Sequence, residues 1–165
     1  MPVNNYAVFI LTNGRPDKVI TYNTLRRQGY TGSIYLIVDD EDNTRHQYIE
    51  KFGNEVVIFN KKKYASTFDI MDNFDGDRVI VYARNACGDI ARKLKLDYFL
   101  EFEDDYNCFQ YRFAHNNSLL SKQCQNLDGI FAAVIKCLVK TNVASIAFSQ
   151  GGDFIGGLGK LYTSN

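Results

Sequence analysis

Tyr6-Ala7-Val8-Phe9-Ile10-Leu11 is apolar at every position, and this lack of alternation constrains the fold more than any other stretch of the chain. A strand with one wet face alternates polar and apolar side chains, whereas a continuous apolar run must be covered on both faces, as in a parallel sheet between helix layers. Ser33-Ile34-Tyr35-Leu36-Ile37-Val38, Val56-Val57-Ile58-Phe59 and Tyr98-Phe99-Leu100 with its continuation Phe102 read as further strands. Helical signals fall between them. Pro16 suits the first position of a helix running to about Gln28, with Gly29 as its stop. A polar helix from about Thr44 to Phe52 is closed by Gly53. Asp77 can cap a helix from about Arg78 to Leu94, in which Val81, Ala86, Ile90 and Leu94 recur at helical spacing. The order βαβαβ predicts an α/β chain with a mostly parallel, right-handed, doubly wound sheet and helices on both faces.

The remaining segments are less regular. Lys61 to Asp77 is polar and irregular apart from a short helix after Ser66, and Lys61-Lys62-Lys63 reads as a solvated run. Cys108 to Phe113 alternates in the manner of an edge or hairpin strand. An apolar helix follows from about Leu127 to Lys140, capped by Asn126 or Asp128, and then a strand over Ala144-Ser145-Ile146-Ala147-Phe148. That strand leads into the glycine-rich stretch Gly151 to Gly159, which looks like an active-site loop cut short. No repeat or linker divides residues 1–165, which read as one domain.

With 165 residues and an apolar fraction of 45%, there is enough material for a real core. Lys plus Arg equals Asp plus Glu, so no global field draws the chain to nucleic acid or an anionic membrane. Cys87, Cys108, Cys124 and Cys137 are widely spaced and read as free thiols in a reducing compartment, and no apolar run is long enough to span a membrane. A cytoplasmic protein is the expectation, with no membrane partner. His46 and His115 have no Cys or Glu at ligand spacing, which argues against zinc.

Chemistry gathers at strand ends. In an open α/β sheet, ligands bind outside the carboxyl ends of the strands, where helix N-termini present free N–H groups to anions. Three such ends are unusual here: Thr12-Asn13-Gly14-Arg15, Asp39-Asp40 and Glu103-Asp104-Asp105. The first can hold a base and ribose through backbone freed by Gly14, and an aspartate of the second can accept the imide N–H of a uracil. The third places clustered carboxylates at an apolar strand's tip, which suits Mg²⁺ or Mn²⁺ bridging a diphosphate.

The succession Ile10 to Pro16, Val38-Asp39-Asp40, Ala83-Arg84-Asn85-Ala86 and Phe102 to Asp105 resembles the nucleotide-sugar-binding half of GT-A glycosyltransferases. Tyr82 through Tyr106, with Gln150 to Phe154, is most similar to the glycosyltransferases of phages and bacteria associated with TET/JBP-type DNA base hydroxylases. The resemblance implies a metal-dependent transferase, with Mn²⁺ or Mg²⁺ held by Glu103 and Asp105, that moves a sugar from a nucleoside diphosphate sugar such as UDP-glucose to hydroxymethylated pyrimidine in DNA. It implies catalytic roles for Arg84, which stabilises the departing diphosphate, and for Asp153 on the acceptor side. Asp104 would contact ribose or sugar, Asn85 would belong to the same binding motif as Arg84, and Gly151 and Gly152 would let backbone approach the sugar. Two departures stand out: glutamate at the first metal position, and a C-terminus just where complete GT-A enzymes add an acceptor half, as in a minimal member or a fragment. An inactive nucleotide-sugar-binding module is the alternative these departures favour. A nucleotidyltransferase ranks lower, because Thr12 to Pro16 lacks a glycine-rich phosphate loop with a lysine.

Overall fold

A computed structural model describes residues 5–66, 79–116 and 118–149. Four parallel strands form its sheet in the order β3-β2-β1-β4: β1 is Tyr6–Leu11, β2 Ser33–Asp39, β3 Val56–Phe59 and β4 Tyr98–Glu103. The continuous apolar runs are central for the reason the sequence suggests. Val8 and Ile10 of β1 point to one face, against Leu25, Tyr48, Phe131 and Ile135, while Ala7, Phe9 and Leu11 point to the other, against Tyr64, Tyr82, Ala86 and Ile90. The helices behind those contacts are α1 (Ile20–Arg27), α2 (Arg45–Phe52) and α5 (Leu127–Thr141) on the first face, and α3 (Lys61–Ala65) and α4 (Val79–Lys93) on the second. The α/β class with helices on both faces is as expected. Among the described residues no helix is long and apolar enough to cross a membrane, and all four cysteines are free.

Several boundaries shift for local reasons. Pro16 opens a single 3₁₀ turn, Pro16–Lys18, before α1 begins at Ile20. Lys61, expected to be solvated, is buried in the short α3 and ion-paired with Glu41, while Asp40 accepts its backbone N–H and the Asn60 side chain caps the helix at Lys63. Asn126, rather than Asp128, caps α5 by accepting from the Gly129 N–H; Asp128 instead accepts from the backbone and hydroxyl of Thr31. The alternating segment after Asp105 is β5 (Gln110–His115), and it pairs with an unforeseen partner, β6 (Ser118–Gln123), in a separate antiparallel hairpin.

The strand expected over Ala144 to Phe148 does not form. Asn142 ends α5 in the left-handed conformation, and Phe148 then lies against the rings of Phe102 and Phe131, at 6.0 and 6.1 Å, instead of entering a ladder. Aromatic packing has taken the place of backbone pairing. The glycine-rich stretch from Gly151, the Asp77 cap and the segment after Ser66 lie outside the described residues.

Two glycines end helices at positive φ. At Gly29 (φ +85°) the Gly29 and Tyr30 N–H groups return to the Arg26 and Leu25 carbonyls, which closes α1 in a Schellman motif. A Cβ at Gly29 would stand 2.6 Å from the Gln125 carbonyl oxygen, whereas at Gly53 (φ +56°) it would meet open space. Gly53 combines its positive φ with ψ −124°, outside the αL well, so Gly53→Ala should cost about 1–3 kcal/mol from backbone conformation alone. Gly29→Ala should cost about 1–2 kcal/mol from its positive φ and about 1–3 kcal/mol more because backbone must move aside. Urea denaturation of the two variants tests the difference.

Candidate functional site

The sheet order places the end of β1 between the ends of β2 and β4, and the loops that follow all three strands meet there. Leu11, Phe59, Ile80 and Ala83 form an apolar wall, and Thr12, Asn13, Arg15, Glu103 and Asp104 a polar one, around an open cleft of about 200 Å³. An apolar wall facing a few convergent polar groups is the usual make-up of a small-molecule site.

Asp104 is the most constrained of these residues, with only 1% of it exposed. Its Oδ2 accepts from the Thr12 hydroxyl at 2.6 Å and from Arg15 Nε at 3.0 Å, and its Oδ1 from Arg15 Nη2 at 2.5 Å. Such a charge-assisted fork is what keeps a buried carboxylate tolerable. Tyr48 on α2 completes the network, accepting the Arg15 backbone N–H at 2.9 Å and lying 2.8 Å from the Thr12 oxygen. Because Thr12 gives its one proton to Asp104, the phenol must donate to Thr12. Burial raises the Tyr48 pKa, which keeps that proton in place.

The backbone of the acidic turn is held by Thr21, fully buried in the first turn of α1. Its hydroxyl donates to the Glu103 carbonyl at 2.6 Å and accepts the Tyr106 N–H at 2.8 Å, while its own N–H donates to the Asp104 carbonyl at 3.0 Å. Sequence reasoning found neither Thr21 nor Tyr48. A threonine in a helix and an aromatic on its apolar face carry no signal of what lies across the fold.

The acids after β2 are also engaged. Asp39 is buried; its Oδ2 accepts from Asn13 Nδ2 at 2.6 Å and its Oδ1 from the Glu41 N–H at 2.9 Å. Burial raises its pKa, against the hydrogen bond from Glu41 and the charge of Lys61. Asp40 turns away to Asn60 and the Lys61 backbone, at 2.8 and 3.0 Å. Asp42 ties the first loop to α2, accepting the Gly14 N–H at 2.7 Å and the backbone and hydroxyl of Thr44. Burial works against the Asp42 charge, but those hydrogen bonds outweigh it and the pKa falls.

On the α4 side, Arg84 forks between Glu103, at 2.9 Å, and Glu101, at 3.2 Å. Burial lifts the Glu101 pKa despite the arginine beside it. Asn85 is exposed one residue along, outside the cleft lining, and Asp105 is exposed with no side-chain hydrogen bond or ion pair among the described residues. Glu103 and Asp105 are thus the acids with least structural employment. No group of three or more His, Cys, Asp or Glu among the described residues could cage a metal ion. Of Glu103 and Asp105, the first lines the cleft, whereas Asp105 is exposed and lies outside its lining. Thr12, Asn13, Arg15, Asp104, Glu103 and, through Glu103, Arg84 come together; Asp153, Gly151 and Gly152 lie outside the described residues.

A protein-family model described as TET-Associated Glycosyltransferase matches residues 6–163. No curated protein and no solved structure matches the chain.

Asp39 offers a pH test. Its folded pKa is raised, so the folded state holds its proton more tightly than the unfolded state does, and its contribution weakens as pH climbs above the ordinary aspartate value. Asp39→Asn removes that ionisation while keeping the shape. The stability of the variant relative to the parent should rise as pH climbs above the ordinary aspartate value and level off once Asp39 has ionised in the folded state, as read by urea denaturation at each pH. A constant or falling difference would contradict the assignment.

Proposed function

We infer the reaction from one premise: the chain belongs to the TET-associated glycosyltransferase family, and its activity is glycosyl transfer. The donor is a nucleotide sugar, and we take it to be a nucleoside diphosphate sugar of the UDP-glucose kind, lying along the cleft with its base toward the β1 and β2 loops and its diphosphate toward the end of β4. The acceptor is a hydroxymethylated pyrimidine in DNA. The observation that carries this reading is the meeting of the β1 and β4 ends at one cleft, with the β2 loop held behind Asn13, where an amide for a base, a partly free carboxylate for ribose and a cationic fork for phosphate stand side by side.

Each side chain has capacity left for its role. Asp104 uses three of roughly four carboxylate acceptor positions, leaving one on Oδ1 for a ribose hydroxyl. Arg15 is half exposed and spends only part of its N–H fork on Asp104, so the rest can meet a phosphate oxygen. Arg84 is shared by two glutamates, so it can turn to the departing diphosphate and still be held by Glu101.

The donor set also fits a hard divalent cation. All-oxygen ligands on an open rim match Mg²⁺ or Mn²⁺, which takes one or two carboxylates and fills its other positions with water and phosphate. Glu103 and Asp105 would hold it, and when bound it would neutralise the charge that develops on the leaving diphosphate. Asp153 remains our proposed acceptor-side residue, with Gly151 and Gly152 beside the sugar.

Incubation with UDP-glucose, Mn²⁺ and hydroxymethylcytosine-containing DNA should add one hexose to the modified base and none to unmodified DNA, as read by mass spectrometry of the nucleosides. Asp105→Asn and Glu103→Gln should each lower kcat/KM by about 10²-fold or more. Calorimetry should show UDP binding that strengthens with Mn²⁺ in the parent and loses that dependence in Asp105→Asn. UDP binding indifferent to both metal and substitution would remove the metal from the proposal.

A further inference from the structure

Asp39 stands at the strand end where a pyrimidine acceptor is expected, yet it does not line the cleft, is 1% exposed, and has each oxygen committed. Asn13 is the residue in between. It lines the cleft, is exposed, and gives its Nδ2 to Asp39. A carboxylate only accepts, so the end of the Asn13 amide that meets it must be the NH₂, and the orientation of the amide is dictated rather than free. Its Oδ1 is turned from Asp39 and accepts no hydrogen bond among the described residues.

We infer that Asn13 Oδ1 is the group that reads the donor's base, as a fixed acceptor for the imide N–H of a uracil, with Asp39 setting the amide's orientation from behind. The inference rests on the donor-site reading above. Uracil carries an N–H at the ring position where cytosine carries a bare nitrogen, so a fixed acceptor attracts the first and opposes the second. An unpaired acceptor facing an acceptor is the kind of mismatch that sites built on hydrogen bonds reject strongly. Asp39 acts only through Asn13 and is a positioning residue.

Asp39→Asn turns this arrangement around. The Glu41 N–H needs an acceptor where Oδ1 now lies, so the oxygen of the substituted amide settles there and its NH₂ occupies the place of Oδ2, facing Asn13. Asn13 must then offer its oxygen to residue 39, which turns its own NH₂ into the cleft. A donor now stands where the acceptor stood, and it suits cytosine.

Calorimetry of UDP and CDP in Mn²⁺, with pyrophosphate as a base-free probe, tests this on the full chain. The parent should bind UDP at least tenfold more tightly than CDP. Asn13→Ala, which also takes the hydrogen bond from Asp39 Oδ2 and whose fold is checked by circular dichroism, should bind the two within about threefold of one another, through loss of UDP affinity. Asp39→Asn should bind CDP at least as tightly as UDP, gaining on the first and losing on the second. A UDP preference that survives both substitutions, or a parent that does not distinguish the two, overturns the role of Asn13 while UDP binding itself upholds the donor site. A parent that binds UDP no better than pyrophosphate overturns the donor-site reading and this inference with it.

Discussion

The rim of the sheet is organised by the need to bury one negative charge. Strand β4 delivers the Asp104 carboxylate into a place almost closed to water, where an unpartnered ion would cost several kcal/mol. Both of its direct partners, Thr12 and Arg15, belong to the loop after β1, and both are themselves held by Tyr48 of α2. Neutralising Asp104 therefore joins the ends of two adjacent parallel strands to a helix that follows a third. The loops that would otherwise diverge are drawn together, and the cleft is the space this leaves beside the apolar wall of Leu11, Phe59 and Ile80.

Seen from that interaction, the acids around the cleft divide by employment. Asp39, Asp40, Asp42 and Asp104 each accept two or more hydrogen bonds from the protein and cannot leave them without releasing a loop or a helix end. Glu103 holds one shared arginine, and Asp105 holds nothing among the described residues. Carboxylates committed to protein donors are poor ligands for a cation that must displace those donors, and Glu103 and Asp105 carry fewer such commitments. The division also explains how three consecutive acids coexist at one strand end: the middle one is neutralised inward by Thr12 and Arg15.

How much of this could be read from residue order depends on the range of the interaction. The strands were legible because an unbroken apolar run has one physical explanation, and β1 and β3 fall where the runs lie. Helix ends were legible to within a residue or two wherever glycine or a capping side chain marked them, as at Gly29, Gly53 and Asn126. Strand β6, Ser-Leu-Leu-Ser-Lys-Gln, has neither alternation nor an apolar run, and only its pairing with β5 makes it a strand. The segment after Asn142 failed in the opposite sense, since its pattern suited a strand but Phe148 found rings to pack on. Asn13, Asp39, Asp104 and Arg15 announced themselves by position at strand ends. Thr21 and Tyr48 did not, because their partners lie 33 to 85 residues away and no local pattern records such a contact.

Helix α1 shows what those silent residues accomplish together. At its start, Thr21 makes three hydrogen bonds to the backbone of Glu103, Asp104 and Tyr106. Gln28, at its end and also buried, accepts the Phe109 N–H and donates to the carbonyls of Phe109 and Cys124, where the β5–β6 hairpin begins and ends. Every described residue of that hairpin's two strands is exposed, and an isolated two-stranded hairpin is marginal at best, so the hydrogen bonds at its base matter to its attachment. One eight-residue helix thus grips both sides of residues 103–109 through side chains placed at its two ends. Asp105 sits between the grips with its carboxylate uncommitted, and its position is fixed through backbone rather than through its own side chain. That separation of backbone support from side chain means that the cation proposed for Asp105 would displace no contact of its carboxylate among the described residues.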